Sequence, residues 1–123
     1  PWRRLKTPGS ERQIPLVGAS LWAAKRALKQ SPDNPFAFPK YCSEDGHKTN
    51  SASAALNKWL KANSPEGCVV HSFRHSMRDR LRAIECPAEI IDQIGGWSTA
   101  GVGSSYGNGY RLEVLSLWMQ RID

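Results

Sequence analysis

The sequence predicts a mainly α-helical domain with a small β-hairpin at its N-terminus, an α+β fold. Apolar residues recur at intervals of three and four along most of the chain, which is the spacing of one helical face. Near the N-terminus, two short runs flank a Pro-Gly turn, which is typical of a hairpin. The 123 residues have the size of one domain, and we treat 1–123 as one unit.

The N-terminal segment WRRLK-TPGSE-RQIPL is expected to form the hairpin. Pro8 and Gly9 would lie in its turn, and Lys6 would begin that turn. Pro15 would end the second strand or mark an edge, because proline has no N–H to donate to a neighbouring strand. The chain begins with Pro rather than Met, so we expect it to be part of a longer protein.

Five helices are predicted after the hairpin: 18–29, 51–62, one beginning near Ser72, one from Pro87 to the Gly95-Gly96 pair, and 111–122. The polar, Pro-rich stretch between the first two is expected to be an irregular loop. The residues expected to face the core are Leu21, Ala24, Leu28, Ala55, Leu56, Trp59, Leu60, Phe73, Met77, Leu81, Ile90, Ile91, Ile94, Leu112, Leu115 and Trp118.

The composition favours an anionic partner in a reducing compartment. Lys and Arg number 17 against 11 Asp and Glu, for a net charge of +6 and a pI near 9.6, as in many nucleic-acid-binding domains. Three cysteines without a tight pattern argue against a disulfide framework. No apolar run reaches the ~18 residues that cross a membrane, and the N-terminus lacks the apolar core of a signal peptide. We therefore expect a protein of a reducing cytoplasm.

The sequence HSFR places His71 just before a predicted helix and Arg74 in its first turn. Backbone N–H groups there favour an anion, and an arginine fork suits two phosphate oxygens. The His could exchange a proton with the same ligand. In isolation, such a pair is most often only a surface Arg and a capping His.

A second candidate element is GGWST followed by SSY. The Trp97 indole N–H is a donor only, so it can bind a phosphate but cannot act as a base. Tyr106 follows nine residues later in a segment rich in Gly and Ser. The alternatives are a core aromatic at Trp97, a packing contact at Tyr106 and a solvated turn lysine at Lys6.

Zinc is the rival interpretation for part of the same region. Cys68, His71 and His75 have a plausible ligand spacing, and Cys42 or His47 could add a fourth ligand. Neither the GxSxG elbow of a serine hydrolase nor the GxxxxGK[ST] loop of a nucleotide-binding protein is present.

Taken together, these motifs resemble the tyrosine recombinases, the phage-integrase family. KTPGSERQIPL resembles the family's hairpin with its catalytic lysine at Lys6. HSFR matches H-x-x-R through His71 and Arg74, and GGW matches the Gly-His/Trp element through Trp97. The step to Tyr106 matches the spacing to the nucleophile. The resemblance implies the C-terminal part of a tyrosine-recombinase catalytic-domain fold, truncated at its N-terminus.

The implied reaction is site-specific cutting and rejoining of DNA through a 3′-phosphotyrosyl link to Tyr106. Arg74 and Trp97 would stabilise the phosphate, His71 would assist proton removal, and Lys6 would protonate the leaving 5′-oxygen. No cofactor or metal is implied. The partners would be double-stranded attachment sites and, in the full-length protein, further copies forming a tetramer in which the C-terminal helix docks on a neighbour or packs on its own domain.

Two features depart from the family pattern. The upstream phosphate-binding Arg and the N-terminal DNA-clamping domain lie outside this chain, so we expect the fragment alone to be inactive. Tyr110 competes with Tyr106 as nucleophile, although the spacing favours Tyr106. Arg12, Arg78 and Arg82 are expected to contact DNA. The alternatives are a non-catalytic DNA-binding remnant and a type IB topoisomerase-like strand transferase.

Overall fold

The computed structural model describes Leu5, residues 11–97 and residues 109–122. Over these residues the order of elements is α1 (Gly18–Gln30), β1 (Cys42–Ser43), β2 (Gly46–His47), α2 (Thr49–Asn63), α3 (Ser72–Ala83), α4 (Ala88–Gly95) and α5 (Leu112–Gln120). The described chain is thus mainly helical with one small antiparallel sheet. This confirms the predicted α+β class, and each of these helices begins and ends within a few residues of its predicted bounds.

The position of the sheet differs from the prediction. Residues 11–17, which were expected to include the second hairpin strand, form no strand. The strands instead pair Cys42 with His47 and Ser43 with Gly46, inside the segment that was expected to be irregular. Pro15 removes one N–H from the expected strand, and a two-residue connection of polar residues suits a tight hairpin at the observed place. The first strand of the expected hairpin, and Lys6 with it, lie outside the described residues.

The core lies where α3, α4 and α5 meet. Its buried side chains are Leu81, Cys86, Ile90, Ile91, Ile94, Leu115 and Met119. Leu81, Ile94 and Leu115 are the largest fully buried side chains among the described residues. The prediction that the three isoleucines of α4 face inward is confirmed. Burial of such side chains stabilises a fold by ~1.5–3 kcal/mol each.

The predicted core faces of α1 and α2 are largely wrong. Leu28 of α1 and Leu56 and Trp59 of α2 are each more than half exposed, and only Ala27 and Leu60 are buried in these helices. The remaining expected core residues that are exposed instead are Leu21, Ala55, Phe73 and Leu112. Helical periodicity identifies which residues share a face, but another element must cover that face to bury it.

Helix α5 packs on its own domain through Leu115 and Met119, with Val114, Trp118 and Ile122 partly buried beside them. Its other side leaves Leu112 and Leu117 exposed, and both line a shallow open groove with Pro15. No helix within the described part of the chain is long and apolar enough to cross a membrane.

Candidate functional site

The N-terminus of α3 presents the first part of the candidate site. The chain enters α3 through a turn in which the Val69 amide donates to the Ser72 hydroxyl, 3.1 Å away. Ser72 therefore fixes the turn before the helix, while His71 occupies the capping position without a side-chain hydrogen bond. His71 is exposed and Arg74 is half-buried. The His71 and His75 rings meet edge to face, with their centres 5.0 Å apart.

Trp97 lies against two arginines of α3. The guanidinium carbon of Arg74 is 4.4 Å from the centre of the indole, and that of Arg78 is 4.9 Å away. The two arginines are one helical turn apart, so they share a face. The cation–π attraction of a guanidinium to an indole is worth ~0.5–2 kcal/mol, depending on how dry the site is. Trp97 thus contacts two positive charges, one in the first turn of α3 and one near its middle.

Within the part of the chain that the structure describes, neither charge is neutralised by a carboxylate. Among residues 11–97 and 109–122, no carboxylate forms an ion pair with Arg74 or Arg78, and the buried Nε of Arg78 has no hydrogen-bond partner. A buried donor without a partner costs ~1–3 kcal/mol. Such a donor beside a second cation would gain from an anionic ligand.

The two glycines before Trp97 have different structural roles. Gly96 ends α4 in the left-handed conformation, with φ +63°, and its amide and that of Trp97 both donate to the Asp92 carbonyl. This arrangement is a Schellman-type helix end, which favours glycine. A Cβ at Gly95 would overlap the six-membered ring of Trp97. The GGW sequence therefore both ends α4 and lets the indole lie against the helix.

Arg12 also contacts the end of α4. Its Nε donates to the Ile94 carbonyl over 3.1 Å. A Cβ at Gly96 would come within 2.5 Å of a terminal nitrogen of the same guanidinium. Arg12, expected on sequence grounds to contact DNA, thus has a partner inside the protein, on the turn that carries Trp97.

Tyr110 is held by α4 through three hydrogen bonds. The Gln93 carboxamide accepts from the Tyr110 amide (2.8 Å) and donates to the Tyr110 carbonyl (2.9 Å). The Tyr110 hydroxyl donates to a Glu89 carboxylate oxygen over 2.9 Å. This hydrogen bond, together with the negative charge of Glu89, raises the pKa of Tyr110 above its ordinary value. Tyr110 is therefore a poor source of a phenolate.

The structure brings together only part of the predicted site. Arg74 and Trp97 meet, and His71 lies at the N-terminus of the same helix as Arg74. Lys6 and Tyr106 lie outside the described residues. Arg82 is exposed on α3, and the described contacts to the Trp97 ring come from Arg74 and Arg78 instead.

Sequence reasoning missed the hydrogen bonds that Gln93 and Glu89 make to Tyr110. The available signal was weak: both are polar residues on a helix whose other side is rich in isoleucine. Neither follows a recognisable motif. Their partner lies about twenty residues further along, so only the tertiary structure shows the contact.

The zinc interpretation gains no geometric support from the described residues. Within them, no three His, Cys, Asp or Glu side chains gather closely enough to hold a metal ion. Cys68 and Cys42 are half-buried free thiols, and Cys86 is a buried one. The His47 ring instead contacts the Thr49 hydroxyl.

Comparison with known proteins finds no match to this chain among protein-family models, curated proteins or solved structures. The function is therefore argued from the residues and their geometry.

Proposed function

We propose that this chain is the C-terminal portion of a tyrosine-recombinase catalytic domain, which cuts and rejoins DNA through a phosphotyrosyl intermediate. The observation that carries the proposal is the contact between Arg74 of HSFR and Trp97 of GGW. These two motifs come from separate parts of the sequence and would both serve the same phosphate. Their meeting supports a single site rather than two unrelated surface features.

The contact suits phosphate binding for a physical reason. A guanidinium that packs against an indole through a cation–π contact still has N–H donors for a ligand, and its planar fork matches two phosphate oxygens. Trp97 also has an indole N–H, which can donate to a phosphate oxygen. Arg78 adds a second positive charge within the same contact. Three donors of this kind can stabilise negative charge that develops on non-bridging oxygens.

In the proposed reaction, the Tyr106 oxygen forms a bond to phosphorus while the bond from phosphorus to the 5′-oxygen breaks. His71 accepts the phenolic proton, or holds the phosphate, and Lys6 gives a proton to the leaving 5′-oxygen. A 5′-hydroxyl from a partner strand reverses the step, so the bond energy is kept. The roles of Lys6 and Tyr106 rest on the sequence resemblance alone.

The environment of Tyr110 favours Tyr106 as the nucleophile. Tyr110 donates its proton to Glu89, and the carboxylate raises the tyrosine pKa, which opposes formation of the phenolate that attacks phosphorus. Its backbone is also held on both sides by Gln93. Tyr110 thus has a structural role that its use as a nucleophile would disrupt.

The proposed partners are double-stranded DNA and, in the full-length protein, other copies of it arranged as a tetramer on attachment sites. The net charge of +6 and the two arginines beside Trp97 support the DNA partner. The reaction that the resemblance implies needs no cofactor. The origin would be a phage or another mobile element acting in a bacterial cytoplasm.

The test uses the full-length natural protein and nicked duplexes tiled from the DNA that flanks its own gene. A nick lets the short 5′-hydroxyl product escape, so the covalent intermediate accumulates. We expect a denaturant-resistant protein–DNA adduct that is lost in Tyr106→Phe and kept in Tyr110→Phe. Arg74→Lys should lower adduct formation strongly, because a lysine cannot bind two oxygens with a planar fork. Arg80→Lys, on the exposed side of α3, is the matched control.

The alternatives give different results in the same experiment. Tight DNA binding without an adduct would contradict the proposal and indicate a non-catalytic DNA-binding remnant. Relaxation of supercoiled DNA without pairing of two sites would indicate a type IB topoisomerase-like activity instead. Loss of the adduct in Tyr110→Phe, rather than in Tyr106→Phe, would overturn the assignment of the nucleophile.

A further inference from the structure

The last turn of α4 is contacted by two segments that are distant in sequence. Arg12 donates to the Ile94 carbonyl. The Trp97 amide returns to the Asp92 carbonyl at 3.0 Å. Tyr110 is bound through its backbone by Gln93. The N-terminal segment and the segment that leads into α5 therefore meet on residues 92–97, the turn that carries Trp97.

The two hydrogen bonds to the Tyr110 backbone require a carboxamide side chain, which glutamine and asparagine have. A carboxamide offers one acceptor and a donor on the same plane, so it can bind a backbone N–H and a backbone C=O at once. A carboxylate can accept from the N–H but cannot donate to the carbonyl. Gly109, with φ +72°, brings the backbone close, since a Cβ there would lie 3.1 Å from the Gln93 oxygen. Gly109 therefore lets the backbone approach the Gln93 side chain closely, and Gln93 makes two hydrogen bonds to the next residue, Tyr110.

Arg12 provides the second attachment. A cation near the C-terminus of a helix is favoured by the partial negative charge of the last carbonyl groups. The Arg12 guanidinium also fills the space beside Gly96, where a side chain would otherwise stand. It therefore contacts the same turn that sets the position of Trp97.

We infer that the C-terminal turn of α4, residues 92–97, is a common anchor for the chain segments of the site, with Arg12 and Gln93 as its positioning residues. Arg12 follows Lys6 by six residues, and Tyr110 follows Tyr106 by four. Four residues of chain span at most about 14 Å, so an anchor at Tyr110 restricts the volume in which Tyr106 can act. The anchor itself stands on the described contacts, and only its effect on catalysis rests on the proposed function.

The first part of the test measures the anchor without any activity, in this chain. The variants are Gln93→Ala, which removes both bonds, Gln93→Glu, which keeps only the acceptor, and Arg12→Ala with Arg12→Lys as the conservative replacement. Gln13→Ala, an exposed glutamine beside Arg12, is the matched control. Circular dichroism establishes that each variant is folded. Mass spectrometry then follows hydrogen exchange at the Tyr110 amide and tryptic cleavage after Arg111.

Both Gln93 variants should expose the segment around Tyr110. Loss of the two hydrogen bonds in Gln93→Ala should speed exchange and cleavage by about tenfold. Gln93→Glu should have a smaller effect, and Gln13→Ala should have none. Exchange and cleavage that are equally fast in the wild-type chain and in Gln93→Ala would overturn the anchor.

The second part uses the full-length protein and separates positioning from binding. At saturating nicked DNA, Gln93→Ala and Arg12→Ala should slow adduct formation by about tenfold, with the dissociation constant for DNA unchanged. Arg12→Lys should restore part of the rate, because it keeps a cation at the Ile94 carbonyl near the C-terminus of α4. A fall in DNA affinity with an unchanged rate would overturn the positioning role.

Failure of the proposed function gives a different pattern. A wild-type protein that forms no adduct, but whose Tyr110 amide is protected by Gln93, would contradict the recombinase reaction and support the anchor. An unprotected Tyr110 amide would overturn the anchor whatever the adduct shows.

Discussion

The guanidinium carbon of Arg74 lies 4.4 Å from the centre of the Trp97 ring, although the two residues belong to separate helix ends. Arg78 reaches the same ring from one turn further along α3. One aromatic ring therefore contacts two cations on the same face of α3, which is the positive charge that the proposed phosphate site requires.

The first prediction concerns the salt dependence of DNA binding. Arg74→Ala and Arg78→Ala should each reduce the slope of log K against log salt concentration by about 1, because each arginine releases about one counterion on meeting a phosphate. Fluorescence anisotropy at several salt concentrations measures the slope. Arg80→Ala should leave it nearly unchanged. An equal reduction in Arg80→Ala would place the DNA on another face of α3.

The second prediction separates the structural reasons for Gly95 and Gly96, with Gly67 as the comparison. Gly67→Ala should cost about 1–2 kcal/mol of unfolding free energy, since its φ of +83° is unfavourable for alanine but its surroundings are open. Gly96→Ala should cost more, because the new Cβ also meets Arg12. Gly95→Ala should cost about 1–3 kcal/mol through displacement of the Trp97 ring. Urea denaturation measures all three, and equal costs at Gly96 and Gly67 would argue against the Arg12 contact.

The third prediction concerns the alkaline stability of the protein. The Glu89 carboxylate raises the pKa of Tyr110 above its ordinary value of 10.0 in the folded state. The folded protein therefore keeps this proton at pH values where the unfolded chain has lost it. The stabilisation is fully present below pH 10 and is lost as the pH rises through the folded-state pKa.

Ultraviolet absorbance titration provides the measurement for that group. Glu89→Gln should bring the Tyr110 pKa closer to its ordinary value, because the replacement removes the negative charge. Tyr110→Phe should remove the corresponding step from the titration and flatten the loss of stability at high pH. Tyr41→Phe, a half-buried tyrosine outside this contact, serves as the control. A titration step that is unaffected by Glu89→Gln would contradict the assigned hydrogen bond.

The fourth prediction compares two leucines that periodicity alone places in the core. Leu81→Ala should lower the unfolding free energy by ~2–5 kcal/mol, because Leu81 is fully buried between α3 and its neighbours. Leu56→Ala, on an exposed face of α2, should change it by no more than ~0.5 kcal/mol. Denaturant titration of both variants tests whether the α3 face with Leu81 is buried and the α2 face with Leu56 is exposed. Similar losses in the two variants would mean that the α2 face is covered in solution.

The fifth prediction concerns the three thiols. Burial raises the pKa of the Cys86 thiol, and the positive charge of Arg121 only partly opposes this effect. Cys86 should therefore react with a soluble thiol reagent more slowly than the half-buried Cys42 and Cys68. Mass spectrometry of the labelled peptides gives the three rates. Addition of denaturant should make them similar, and equal rates in the native protein would contradict the burial of Cys86.

The parts of the candidate site that depend on a single local sequence pattern were predictable. HSFR before an amphipathic helix indicated a cation at a helix N-terminus, and α3 begins at Ser72 as expected. The Gly95-Gly96 pair indicated the end of α4, which Gly96 provides through its left-handed conformation. The contacts of Arg12, Arg78 and Gln93 were not predictable, since each depends on how distant segments meet.

The sequence by itself determined the helices and their approximate ends, because periodicity, glycine and proline act within a few neighbouring residues. It also determined the charge and the order of the candidate motifs. Only the tertiary structure decided which apolar faces are covered and where the small sheet lies. It also decided that both Arg74 and Arg78 contact Trp97. The same is true of Tyr110, whose neighbour Glu89 makes its proton harder to remove. These outcomes depend on packing between elements, and no local rule of spacing contains that information.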